Sequence, residues 1–293
     1  MKLIRNSWIL LKETYDGMWE INIGLHGAAI AFYAIFSTAP LVIIIVWITG
    51  LLLGSQLGQV EFQETLSSVV GPQLAPAISD LVQSTTQGSS GLWSSLIAGG
   101  TVLFGATTLL SQLKHTLNTI WGLTNPNVGT VWHFVWSRLV GLLFIGFLSL
   151  LFLTGLISES LLYGLENVLL PILGSKNLFF VQLGNSLINL LLAFVFITAM
   201  FRILPDLDVR WRDLAIGGLV TTLLVLAGKS VVDWYLSAAA FQTAYAAAGS
   251  FVVFLIWIYY NVQVLLIGAI FTKAYTSRFG AEVTPYWDAT LEE

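Results

Sequence analysis

The chain has 293 residues, 56% of them hydrophobic and only 10% charged, with a mean hydropathy of +0.83 and a formal net charge of −4. An ordinary soluble domain carries about 25% charged residues, and a compact domain of this size leaves about a quarter of its unfolded surface in water, so a soluble globular protein is excluded. Disorder is excluded too, because disordered chains are charged and poor in aromatics, whereas 13% of this chain is Phe, Trp or Tyr.

Residues 1–26 predict an amphipathic helix. Ile4, Trp8, Leu11, Tyr15, Met18 and Leu25 recur at mostly three- and four-residue steps, with Lys12, Glu13, Asp16 and Glu20 at other positions. Such a helix lies in the membrane interface with Trp8 and Trp19 at headgroup depth, or packs on one end of the bundle. Its first apolar run, Trp8 to Leu11, is too short for the core of a signal peptide. A bilayer core takes about 20 apolar residues of helix. Six runs meet that requirement, at about 28–53, 92–110, 139–158, 178–200, 214–236 and 250–272. They predict a transmembrane domain over 27–273, followed by a cytoplasmic tail over 274–293. The runs are continuous and do not alternate with period 2, which argues against a β-barrel. The expected fold is therefore all-α, a polytopic bundle of six transmembrane helices.

The segments between the runs have their own patterns. Gly54 to Gly91 carries Glu61, Glu64 and Asp80 and no basic residue. Its apolar spacing predicts two short amphipathic helices, broken by Gly71-Pro72 and Pro76. Asn125-Pro126-Asn127 is a turn signal, and Trp132, Phe134 and Trp136 form an aromatic belt beyond it. Ten of the twelve Lys and Arg residues fall on the side of the termini and of the second-to-third and fourth-to-fifth loops. Positive residues stay in the cytoplasm, so both termini are expected inside.

Little in the chain points to catalysis. There is no cysteine, no phosphate-binding glycine loop and no nucleophile elbow. The three histidines, His26, His115 and His133, have no metal-ligand spacing. No cofactor, metal site or enzymatic activity is expected, and no nucleic-acid partner, because the basic residues do not cluster with aromatics.

Polar residues at membrane depth usually face a protein interior or a water-filled cavity, so they are the candidate cavity-lining residues. Ser37 and Pro40 interrupt the first span, as a substrate-facing hinge or as a kink whose freed backbone Ser37 satisfies. Gln182, Asn185 and Asn189 share one face of the fourth span, either lining a path or joining helices. Lys229 and Asp233 are four residues apart near the external end of the fifth span, as a vestibule charge pair or as side chains reaching the outer interface. Asn261 sits near the middle of the sixth span. The segment Arg202-Ile203-Leu204-Pro205-Asp206 stops the fourth span, where Arg202 can pair with Asp206 or Asp208. Gly99-Gly100, Gly105 and Gly217-Gly218 permit close helix contacts.

Four stretches carry a family resemblance. They are Ala28-Ala29-Ile30-Ala31-Phe32-Tyr33-Ala34-Ile35-Phe36-Ser37 with Pro40-Leu41; Leu117-Asn118-Thr119-Ile120-Trp121; Arg202-Ile203-Leu204-Pro205 leading to Trp211 and Gly217; and Gly249-Ser250 with Leu255-Ile256-Trp257-Ile258-Tyr259-Tyr260 and Leu266-Ile267-Gly268-Ala269. In this order they resemble the YihY/BrkB family of six-span bacterial inner-membrane proteins. One departure is the alanine-rich run Ala239 to Ala248. The resemblance implies a multi-pass plasma-membrane protein with both termini inside. Family members have carried a ribonuclease label, which conflicts with three isolated histidines and a nearly all-apolar body. The leading functional expectation is a transporter-like protein for a small solute, ion or lipidic molecule. The alternative is a non-transporting envelope scaffold that binds lipids or partners, and a membrane-associated ribonuclease comes third. The expected partners are the lipid bilayer and a small solute.

Overall fold

The computed structural model describes residues 2–34, 37, 92–124, 139–151, 153–155, 158, 178–238, 249–281, 283–285 and 290–291. These residues are almost entirely helical. The helices are α1 (Lys2–Glu20), α2 (Ile23–Ala34), α3 (Leu92–Trp121), α4 (Leu139–Gly155), α5 (Leu178–Ile203), α6 (Trp211–Ala238) and α7 (Gly249–Phe279). Two-residue strands β1 (Leu123–Thr124), β2 (Leu207–Asp208), β3 (Thr284–Pro285) and β4 (Thr290–Leu291) complete the set. Among the described residues, three helices contain segments long and apolar enough to cross a membrane: Ser186–Ile203 in α5, Trp211–Gly228 in α6 and Leu255–Phe279 in α7. The remainder of the expected first span beyond Ser37, Pro40 included, lies outside the described residues. So do the amphipathic pair in Gly54 to Gly91, the turn at Asn125-Pro126-Asn127 with its aromatic belt, and Ala239 to Ala248.

The surface of this bundle is inverted relative to that of a soluble protein. Leu183, Leu187, Leu191 and Val195 form an exposed stripe on α5, and Ile216, Leu219, Leu223 and Leu226 form another on α6. Apolar stripes of this length on a water-soluble monomer would drive association; against lipid they cost nothing. The protein is a membrane protein.

The breaks between helices follow local chemistry. Asn22 adopts φ 53° between α1 and α2, a left-handed conformation that Asn tolerates better than most residues. Its carbonyl accepts from Leu25 N (3.0 Å) and His26 N (3.3 Å), so the chain turns and restarts a helix at once. The expected single amphipathic segment is thus divided at residues 21–22. Gly122, at φ 70°, closes α3 in the same way. At α5 the helix ends at Ile203, two residues before Pro205, where the sequence places the stop.

Helices α5, α6 and α7 pack in sequence, and α1 and α3 pack on α7. The α6–α7 contact is a ladder of antiparallel rungs. A Cβ at Gly217 would overlap the Thr272 hydroxyl and lie 2.8 Å from Thr272 Cβ. A Cβ at Gly268 would overlap the Thr221 hydroxyl and lie 2.7 Å from Thr221 Cβ. Each helix thus offers a glycine to the other's threonine, four residues from its own. A third rung sets Gly228 against the Tyr260 ring. On the far side of α6, Gly218 receives Thr198 of α5. These threonines are buried, and Thr221, Thr222 and Thr272 return their hydroxyls to the carbonyls of Gly217, Gly218 and Gly268 at 2.6–2.7 Å. Small residues permit this approach where no aqueous hydrophobic effect drives helices together.

The buried core lies toward one end of the bundle. It contains Leu113, Leu117 and Ile120 of α3, Ile197, Met200 and Phe201 of α5, Leu214 of α6, and Leu266 and Ile270 of α7. This is the end that carries Lys114, Arg202, Arg210, Arg212, Lys273 and Arg278, and it is called the basic end below. Here the C-terminal segment is tied down. Helix α7 runs on to Phe279, past residue 272 where the apolar run stops, because no helix breaker intervenes before Gly280. Leu207–Asp208 then pairs antiparallel with Thr284–Pro285, and Leu123–Thr124 with Thr290–Leu291. Ladders of two residues leave no periodicity to read, so an all-helical expectation omits them.

Candidate functional site

Among the described residues, polar side chains are most densely linked at the basic end. Lys114 and Asn118 are four residues apart and share one face of α3. Both reach Asp206, in the link between α5 and α6. Lys114 Nζ lies 2.8 Å from Asp206 Oδ1. Asn118 Nδ2 donates to Asp206 Oδ2 at 2.9 Å, and Asp206 N donates to Asn118 Oδ1 at 3.0 Å. The carboxylate is held at both oxygens and the backbone is held in return. The Lys114 and Asp206 side chains are only 12% and 15% exposed, so this pair is shielded from water and salt far better than a surface pair.

Arg202 takes the neighbouring position. It pairs with Asp208, donates to Val209 O at 2.6 Å, and lies over the Trp211 ring at 5.7 Å. Of the two partners the sequence leaves open, Asp208 takes the arginine and Asp206 takes Lys114. The α5–α6 link is thereby clasped to α3 on one side and to the C-terminal segment, through β3, on the other.

Lys114 also lines a small crevice. Its walls are Leu110, Ser111 and Lys114 of α3, Val140, Gly141 and Phe144 of α4, and Leu204. It admits about one water molecule. Lys114, the partner of Asp206, is the charged residue of its lining.

A second polar contact joins α2 to α3 and α7. His26 Nδ1 lies 3.4 Å from Thr116 Oγ1, and Gln263 Nε2 donates to Ile23 O at 3.1 Å. Burial, and secondarily the nearby His115, lower the pKa of His26 below its ordinary value of 6.5. A lowered folded-state pKa means that the unfolded chain binds the proton more readily. Stability is then intact above the ordinary value and declines as pH falls below it, until the folded histidine is itself protonated. Thermal unfolding followed between about pH 8 and pH 5 is expected to show a falling midpoint in the wild type. His26→Gln is expected to flatten that slope, and parallel slopes would refute the assignment.

Of the eight candidate lining residues, the side chains of Ser37, Asn189 and Asn261 are described. Ser37 is buried and donates its hydroxyl to Gly105 O on α3 at 2.7 Å, a helix-to-helix tie. Asn261 turns its amide back to Trp257 O on its own helix at 2.7 Å. Asn189 lies on the exposed side of α5 beside Leu187 and Leu191. Gln182 and Asn185 belong to α5, and Lys229 and Asp233 to α6, but their side chains lie outside the described residues, as does Pro40. None of the three described ones is among the residues that line the Lys114 crevice. The clasp residues Asn118 and Asp206 are absent from the sequence-based set. The available signal is the i, i+4 spacing of Lys114 and Asn118, which places a cation and an amide on one helix face. Among the described residues, no group of three His, Cys, Asp or Glu side chains is placed to hold a metal ion.

Comparison with known proteins finds matches over most of the chain. The family model described as Virulence factor BrkB matches residues 14–290. A UPF0761 membrane protein of Chromobacterium violaceum is 32% identical over 184 residues, covering 61% of this chain and 41% of the relative. One from Rhodospirillum centenum is 24% identical over 286 residues, covering 96% of this chain and 58% of the relative. One from Stenotrophomonas maltophilia is 25% identical over 248 residues, covering 83% and 55%. The chain therefore spans about half the length of the curated relatives it matches. The names of these relatives carry no enzymatic activity. No solved structure matches.

Proposed function

The chain belongs to the virulence factor BrkB family of membrane proteins, and on that premise we propose that it is a transporter-like protein of the bacterial inner membrane for a small solute, ion or lipidic molecule. In this reading the bundle has six spans and both termini are cytoplasmic, as the skew of ten of twelve basic residues supports. Helix α1 then lies along the inner-leaflet interface. It packs on α7 through Gly17 and the 3.0 Å Arg278–Glu13 ion pair, and it leaves Trp8 (70%) and Trp19 (71%) exposed on its other side.

One observation carries the transport reading. Lys114 lines the crevice between α3 and α4, and its ammonium is held by Asp206. An ion pair is a closure that opens without unfolding any helix, so Lys114–Asp206 serves as an inner gate. The absence of cysteine makes the gate directly testable. A single cysteine at Ser111, inside the crevice, is expected to react with a polar maleimide much more slowly than one at the exposed Thr119. Asp206→Ala is expected to raise the Ser111→Cys rate by about tenfold or more, corresponding to about 1.4 kcal/mol or more of gating energy. Proteoliposomes holding the wild type should then change the flux of at least one solute in a broad panel.

A second reading rests on the same geometry. The crevice admits about one water, and Ser37 and Asn261 each donate a hydrogen bond to helix backbone. That arrangement suits a static scaffold. Unchanged labelling in Asp206→Ala together with no flux would favour it over transport.

A further inference from the structure

The exposed stripe on α6 ends on a cation. Arg212, Ile216, Leu219, Leu223 and Leu226 follow one another at alternating four- and three-residue steps, so they share one face of the helix. All of them are exposed. Another side of α6 is the packed one, where Gly217 and Thr221 meet α7 and Gly218 meets α5. The face that begins at Arg212 is therefore the one that α6 turns to lipid. From Arg212 to Leu226 the helix rises about 21 Å, more than the roughly 15 Å of hydrocarbon in one leaflet.

No described residue neutralises that cation. The ion pairs of the described residues join Lys114 to Asp206, Arg202 to Asp208 and Arg278 to Glu13, and Arg212 takes part in none of them. The adjacent acid, Asp213, is buried on the packed side of α6, beside Gly280. Trp211 precedes Arg212 with 60% of its surface exposed, steadied by Arg202 over its ring at 5.7 Å. An exposed indole at the end of an apolar helix suits headgroup depth. The stripe of α5 ends differently. Leu183, Leu187, Leu191 and Val195 run toward Arg202, which is already held by Asp208 and Val209 O.

An unpaired guanidinium at the end of a lipid-facing apolar strip matches an amphiphile with a phosphate at one end. The strip favours a lipid over free phosphate. A zwitterionic headgroup carries its own ammonium near its phosphate, so an anionic headgroup gains more from the arginine. We propose that this face of α6 binds one anionic phospholipid, with the phosphate on Arg212, the headgroup region beside Trp211 and an acyl chain along Ile216, Leu219 and Leu223. The site does not depend on the transport reading, since a lipid that only seals α6 into the bilayer would occupy it equally well.

The test uses the full-length protein, which has no native cysteine. Leu223→Cys is labelled with bimane and reconstituted in phosphatidylcholine vesicles. Phosphatidylglycerol or phosphatidylcholine carrying a spin label on its acyl chain is then added at equal mole fraction, and quenching of the bimane reports which lipid lies beside it. Phosphatidylglycerol is expected to be favoured about fivefold, the effect of one cation near an anionic headgroup. Arg212→Gln is expected to remove the preference, and Arg212→Lys to keep part of it. Both replace an exposed, unpaired side chain and leave the helix contacts intact. The same label on Leu191→Cys in α5 is expected to show no preference, because Arg202 is engaged. A large excess of inorganic phosphate on both sides of the membrane should leave the Leu223→Cys preference unchanged. Equal quenching by the two lipids at Leu223→Cys, a preference undiminished in Arg212→Gln, or an equal preference at Leu191→Cys would overturn the proposal. Loss of the preference in inorganic phosphate would overturn it too, in favour of a site for free anions.

Discussion

Gly217→Ala and Gly268→Ala are each expected to destabilise the folded protein by about 3 kcal/mol, the upper end of what overpacking a close-packed site costs. The added methyl has nowhere to go. At Gly217 it would overlap the Thr272 hydroxyl and sit 2.8 Å from Thr272 Cβ, and at Gly268 it meets Thr221 in the same way. A Cβ is fixed to its backbone, so rotating the threonine does not relieve the clash and the two helices must separate. Separation then loosens every rung, including the fit of Tyr260 against Gly228. At about 2–4 °C per kcal/mol for a protein approaching this size, each variant should melt roughly 6–12 °C lower. The double variant Gly217→Ala with Thr272→Gly should recover most of the loss, less about 1 kcal/mol for a glycine inside a helix. A Gly217→Ala midpoint within 1 °C of the wild type, as an approximate experimental margin, would show that the ladder is not tightly closed.

The second large effect is expected at Asp206. Asp206→Ala removes the partner of a lysine only 12% exposed and leaves the Asn118 amide and carbonyl without the contacts they make. Breaking a buried pair from one side costs about 3–5 kcal/mol. The residual exposure of both side chains places this one at about 3 kcal/mol. Lys114→Met in the same chain should restore part of it, because removing both charges is much less costly than stranding one. Additive losses in the two single variants and the double variant, measured by denaturation in detergent, would mean that the 2.8 Å contact carries no coupling energy. Asp208→Ala, at a half-exposed position, should cost about 1 kcal/mol or less. The contrast between two acids two residues apart separates the clasp from a general effect of charge.

Much of the helical framework is legible in the chain because the membrane imposes a simple rule. A span must be long, continuous and apolar, and its breakers must lie outside it. The stop at Arg202–Pro205 and the close contact at Gly217–Gly218 follow from proline geometry and from the small size of glycine, both local properties. The candidate site is less legible because its polar atoms are paired across long sequence separations. Asn118 and Asp206 are 88 residues apart, and the sequence offers Asp206 and Asp208 to Arg202 on equal terms. The carboxamides of the fourth and sixth spans are conspicuous in the sequence because polar groups in lipid are costly. Asn261 is satisfied by its own helix, and Ser37 by the neighbouring one. A hydroxyl or amide that donates to a backbone carbonyl can serve helix packing as well as a cavity, and only the fold distinguishes the two.

The sequence by itself determined that this is a helical membrane protein of a recognisable family, since composition, run length and short motifs are properties of neighbouring residues and of the solvent they require. Only the tertiary structure decided which acid takes Lys114, which threonine enters which glycine, and that the C-terminal segment pairs with two links of the bundle. Those choices depend on helix register and on distances of a few ångströms between residues remote in the chain. The pair Asp213 and Thr276 shows the difference most plainly. In the sequence it is an acid in a first helical turn and a threonine near a helix end, each ordinary in its place. Antiparallel packing buries both beside Gly280, where a side chain would collide with Asp213 and with the Thr276 backbone.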